Sequence, residues 1–120
     1  MALYVGSVVM SVSDLERAKA FWMAALGYVV RESKKDFVVL IDPNRRWSNI
    51  SLQSRPGLVH RGSRVHLDLY SDDQMAEVQR LESLGAVQLD WDYPPDADYV
   101  VMSDPEGNEF CIIDSRYSQD

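Results

Sequence analysis

The chain has 120 residues, 46% of them hydrophobic and 26% charged, with a formal net charge of -7 and one cysteine. That length suits one domain, which buries roughly two-thirds of its unfolded surface without covalent staples. The acidity counts against a nucleic-acid partner, no apolar run approaches the ~20 residues of a bilayer span, and a lone cysteine excludes an internal disulfide. The first ten residues, "MALYVGSVVM", also lack the basic region of a secretory leader. A cytoplasmic protein that binds neither membrane nor nucleic acid is expected.

Taken in order, the pattern predicts a strand over Val5–Val12 and a helix over Asp14–Leu26. In the helix Leu15, Ala18, Phe21, Trp22, Ala25 and Leu26 recur at helical spacing, Ser13 or Asp14 caps the start and Gly27 ends it. Strands follow over Tyr28–Ser33, Phe37–Ile41 and Ile50–Gln53. The second half repeats the plan: a strand over Arg64–Tyr70, a helix over Asp72–Leu84 capped by Ser71 or Asp72 and closed by Gly85, then strands over Ala86–Trp91, Tyr99–Ser103 and Glu109–Asp114. The second helix has Met75, Val78, Leu81 and Leu84 along one side.

The repetition extends to residue identities. A shift of 58 places Asp14 on Asp72, Ala18 on Ala76, Leu26 on Leu84 and Gly27 on Gly85. "FVVLIDP" (Phe37–Pro43) meets "YVVMSDP" (Tyr99–Pro105) at a shift of 62, with four identities. Duplication explains two echoes in the same order better than chance does. The expected fold class is therefore α+β: one domain over residues 1–120 made of two tandem βαβββ modules, at about 1–56 and 62–120. One helix covers one face of a sheet, so each module keeps a free face, and a cleft between the two is the natural ligand site.

With "VSDLERAKAFWMAALGY" at the front, "RVHLDLYSDD" in the middle and "VVMSDPEGNEFC" near the end, the chain resembles the vicinal oxygen chelate superfamily. That superfamily includes glyoxalase I, extradiol dioxygenases and bleomycin-resistance proteins; the resemblance is strongest to its glyoxalase-like branch. It implies curled mixed sheets around one pocket and a homodimer whose chains both line each site. In the metal-using members, each module supplies a His or Gln and a Glu to a divalent ion.

Carried over residue by residue, those four positions fall on Ser7, on Ser51 or Gln53, on His66 and on Cys111. Such a set is a poor home for magnesium or manganese, which want carboxylate, carbonyl and water oxygens. Neither metal nor other cofactor is expected, although Asp68, two residues after His66 on the same strand face, makes a His/Asp/Cys trio conceivable for zinc. Cys111 beside His66 is on paper a thiolate–imidazole pair, but the plainer reading of an unpaired cysteine on a core strand is a small buried hydrophobe. His66 is the best catalytic candidate, as a general base next to Asp68. His60, in a polar stretch, reads as solvated.

Trp47 in "NRRWSN", with Trp91 and Tyr93 in "DWDYPPDADY", lies on loop-like sequence among charges, where aromatics serve ligands, plug loops or cover a dimer contact. Trp22, inside the first helix, reads as packing or dimer contact, and Arg45 and Arg46 as a solvated turn. Together these residues favour a small-molecule-binding protein without the usual metal ligands, taking a flat, aromatic or cationic compound as bleomycin-resistance proteins do. A divergent lyase, isomerase or dioxygenase is the alternative, and a regulatory or scaffold module the third reading.

Overall fold

The structure is a computed structural model that describes residues 3–54 and 64–117. His60 and the expected boundary between the modules lie outside them. The chain falls into two compact units, Ser7–Val65 and Met1–Gly6 with His66–Asp120. Each follows the βαβββ plan, so the fold is α+β.

The first module comprises β1 (Tyr4–Val12), α1 (Leu15–Leu26), β2 (Val29–Lys34), β3 (Phe37–Ile41) and β4 (Asn49–Ser54). Asp14 starts α1 from an extended backbone and its carboxylate accepts the Arg17 amide at 3.0 Å, satisfying one of the helix's orphan donors. Gly27 ends it at a φ of 70°, a conformation that glycine adopts without a Cβ penalty, and its amide donates to the Met23 carbonyl at 2.9 Å. Strand β1 runs parallel to β4, whose other edge pairs antiparallel with β3, which pairs antiparallel with β2. Alternation sends Val38, Leu40 and Leu52 to the side of α1, where they pack with Tyr28, Leu15, Ala18, Trp22 and Met23. Trp22 therefore packs, whereas Phe21 is 60% exposed. A twelve-residue helix buries a narrower stripe than its apolar positions suggest.

The second module repeats this order with β5 (Val65–Ser71), α2 (Gln74–Ser83), β6 (Val87–Gln88), β7 (Tyr99–Ser103) and β8 (Glu109–Asp114), followed by a single 3-10 turn over Ser115–Tyr117. Parallel β5 and β8 correspond to β1 and β4. The cap of α2 is Asp73, one residue later than expected, because the Ser71 hydroxyl is buried and engaged, accepting the Asp73 amide at 2.9 Å. Val78, Met102 and Ile112 are fully buried, with Leu69, Leu81, Val100 and Phe110 packed on them. Each such side chain contributes about 1.5–3 kcal/mol when fully buried. The Gln74 side-chain amide ties the start of α2 to the sheet, donating to the carbonyls of Asp98 at 3.0 Å and Ile112 at 2.8 Å.

Two departures from the sequence pattern shape this module. Strand β6 has two residues rather than the six expected. The Leu89 amide still reaches the Val101 carbonyl at 3.0 Å, but the chain then leaves the ladder, and the Val101 amide donates instead to the Tyr93 hydroxyl at 2.8 Å. A side chain thus replaces the missing strand partner. The second departure is that Tyr4–Gly6 group with the second unit rather than the first. Tyr70 accounts for this: Tyr4 meets it edge-on with ring centroids 5.7 Å apart, and its ring lies against Gly6, where a Cβ would come within 2.6 Å.

Candidate functional site

In each module the face turned away from the helix carries the polar residues singled out from sequence. In the first, Ser7 and Ser51 are buried and their hydroxyls lie 2.7 Å apart, while Ser7 Oγ also donates to the Asn49 carbonyl at 3.2 Å. Half-buried Gln53 lies two residues beyond Ser51, and its Oε1 is buried without a hydrogen-bond partner among the described residues. The register distinguishes the two candidates. Ser51 pairs with Val9 and Val39 as Cys111 pairs with Asp68 and Val101, so Ser51 is the counterpart of Cys111. By the same count Ser7 is the counterpart of His66.

In the second module, His66 and Asp68 alternate to one face of β5 and Cys111 lies across the ladder from Asp68. His66 Nε2 is 3.4 Å from Asp68 Oδ1, and the side chains are only 11% and 16% exposed. With the Cys111 sulfur, the nearest donor atoms of the three lie within 4.8 Å of one another. Burial, above all, pushes the Cys111 thiol far up from its ordinary range, and the negative charges of Asp68, Glu109 and Asp98 push the same way. A thiol held protonated in this manner is no nucleophile.

The aromatic candidates divide. Trp47 follows β3 and is 67% exposed, with the Arg46 guanidinium 6.0 Å from its ring centre. Arg46 is also tied back by Asp42, at 3.4 Å, and Arg45 adopts a left-handed backbone at a φ of 57°. Trp91 is half-buried in the loop after β6, and Tyr93 is 42% exposed though its hydroxyl is engaged by Val101. Tyr99 was not singled out from sequence and belongs with this group. It shares the Cys111 face, two residues from Val101, and meets Tyr93 edge-on with centroids 5.4 Å apart. Burial foremost holds its phenol above the usual range, with Cys111 and Tyr93 adding to the effect and the Trp91 indole opposing it. Its place in an apolar strand hid it; the signal was its position two residues before Val101, the strand partner of Cys111.

The profile of the glyoxalase-like domain family matches residues 7–113. The chain belongs to that family. Among solved structures, a hypothetical protein, BH1468, from Bacillus halodurans aligns with a TM-score of 0.71 at 10% identity, over 94% of each chain. Methylmalonyl-CoA epimerase from Mycobacterium tuberculosis aligns at 0.67 and 19% identity, over 91% of this chain and 85% of that one. A glyoxalase/bleomycin resistance protein/dioxygenase superfamily member from Vibrio splendidus 12B01 aligns at 0.63 and 19%, over 92% and 97%. At such identities the likeness is one of fold, which many chemistries share. No curated protein matches the chain at a significant level.

The oxygen-rich, two-module metal set that the superfamily implies does not fit this glyoxalase-like chain. Its first-module positions hold two serines whose hydroxyls satisfy each other, and its last position holds a thiol where a carboxylate would be needed. Among the described residues no helix is long and apolar enough to cross a membrane.

Proposed function

We propose that this glyoxalase-like protein binds an organic compound that carries a flat, cationic portion and does so without the superfamily's metal. One observation carries the reading: the face of the second module's sheet that is turned away from α2 sets Asp68 and Glu109 beside Cys111 and Tyr99. Negative charge there raises the local concentration of a cation, and the Tyr99, Tyr93 and Trp91 rings offer flat surfaces against which a planar group stacks. Sequestration of an antibiotic is the function this binding would serve. A cytoplasmic location agrees with the buried free thiol. A homodimer agrees with apolar side chains such as Phe21, Met75 and Leu84, which the single chain leaves exposed.

The test is a fluorescence titration of chelator-treated protein with bleomycin as the cationic probe. Tryptophan emission falls saturably, and Asp68→Asn weakens binding at least tenfold. Equal affinity in wild type, Asp68→Asn and Trp91→Phe removes the site from this face. A second reading has its own support in the 3.4 Å His66–Asp68 approach: an imidazole oriented by a carboxylate is a general base for an isomerase or lyase. Solvent deuterium entering a candidate substrate, lost in His66→Gln, would favour it.

A further inference from the structure

We propose that His66, Asp68 and Cys111 form a three-ligand site for a zinc-class divalent cation, built within the second module alone. This goes beyond the binding reading, which needs no metal, and it differs from the arrangement the resemblance implies. There, two modules share the ion through His or Gln and Glu; here one sheet supplies an imidazole, a carboxylate and a sulfur, and Asp68 is at none of the four resemblance positions.

The backbone enforces the grouping. Residues two apart on a strand share a face, and cross-strand partners share it too, so His66, Asp68 and Cys111 point the same way by construction. Tetrahedral zinc with bonds of about 2.0–2.3 Å holds its ligand atoms roughly 3.3–3.8 Å apart. The His66–Asp68 separation of 3.4 Å already meets that spacing, and the donor atoms of the trio all lie within 4.8 Å of one another, at most about 1 Å beyond it. A gap of that size is within the reach of rotation about the side-chain bonds of His66 and Asp68, so the strands need not move for the three ligands to meet.

Donor chemistry selects the ion. Nitrogen, oxygen and sulfur together suit zinc and its neighbours, whereas magnesium and calcium want oxygen throughout. On coordination the Cys111 S–H bond breaks, its proton passes to buffer and the S–metal bond forms; the resulting thiolate and the Asp68 carboxylate balance the two positive charges. Glu109 and Asp98, close enough for their charges to act on Cys111, add attraction from outside the trio. Three protein ligands leave the fourth position open, as in catalytic rather than structural zinc sites.

Cobalt(II) tests this without any assay of activity. Chelator-treated, phosphine-reduced protein is titrated with cobalt, expecting one equivalent to produce a sulfur-to-cobalt charge-transfer band that one equivalent of zinc abolishes. Cys111→Ser loses the band, and Asp68→Asn and His66→Gln each weaken cobalt binding at least tenfold, with circular dichroism reporting that the variants are folded. Should Cys111→Ser fail to fold, the Asp68→Asn and His66→Gln affinities decide alone. No band in folded wild type, or wild-type affinity in both of those variants, overturns the proposal. Because the bleomycin titration uses chelator-treated protein, either result here leaves that reading to its own test.

Discussion

Asp68 and Cys111 face each other across the β5–β8 ladder, on the side of the sheet that α2 leaves free. Burial, which leaves Cys111 only 7% exposed, and after it this neighbouring carboxylate keep the thiol protonated. A chromogenic disulfide should therefore label native protein far more slowly than unfolded protein. Burial is the larger cause and survives mutation, so Asp68→Asn speeds native labelling only in part and leaves it well below the rate for unfolded protein. Equal rates for native and unfolded protein would contradict the burial described here.

Much of the frame was legible because its signals are local. The bounds of β3, β7 and β8 match their expected ranges, since short apolar runs sit between turn residues such as Asp104, Pro105 and Gly107. The shortened β6 was not legible, because the Tyr93 hydroxyl that substitutes for its ladder acts across eight residues. The choice between Ser51 and Gln53 was equally beyond the sequence: residues two apart share a face, and only the register with Val9 and Val39 separates them. Nor did the periodicity of α1 reveal that Phe21 would lie outside while Trp22 packed, since both fall on the same broad apolar stripe.

Gly6 is a point where a single methyl group is costly. The added carbon of Gly6→Ala would lie 2.6 Å from three atoms of the Tyr70 ring, which is itself buried. Overpacking of this kind costs about 1–3 kcal/mol, read as a lowered denaturation midpoint. Tyr70→Ala removes the obstacle, so adding Gly6→Ala to it should cost less than adding it to wild type. Equal costs in the two backgrounds would place the strain elsewhere.

Tyr93 is expected to matter through its oxygen as well as its ring. Its hydroxyl accepts the amide of Val101, a residue 1% exposed, at 2.8 Å. Tyr93→Phe keeps the contact with Tyr99 but leaves that amide unsatisfied, costing about 1–3 kcal/mol. Hydrogen exchange at Val101 should accelerate more than at Met102, whose amide lies outside this interaction. Unchanged stability together with unchanged exchange would mean that another acceptor takes over.

The loops after β3 and β7 tie stability to pH through one device used twice. Asp42 accepts the amides of Asn44 at 3.0 Å and Arg46 at 3.1 Å, and Asp104 accepts the Asn108 side-chain amide at 3.0 Å with the amides of Asn108 at 2.8 Å and Glu106 at 2.9 Å. The Asn44 amide foremost holds the Asp42 carboxyl below its ordinary range, as the Asn108 side chain foremost does for Asp104. A depressed folded value contributes stability above the unfolded value of about 3.9, and that contribution is lost as pH falls through the folded value. Asp104→Asn lacks the charge at every pH. The gap between its urea midpoint and that of wild type should therefore be widest near neutrality and narrow steadily below about pH 4. A gap that stays constant across the acid limb would show that the Asp104 turn contributes geometry alone.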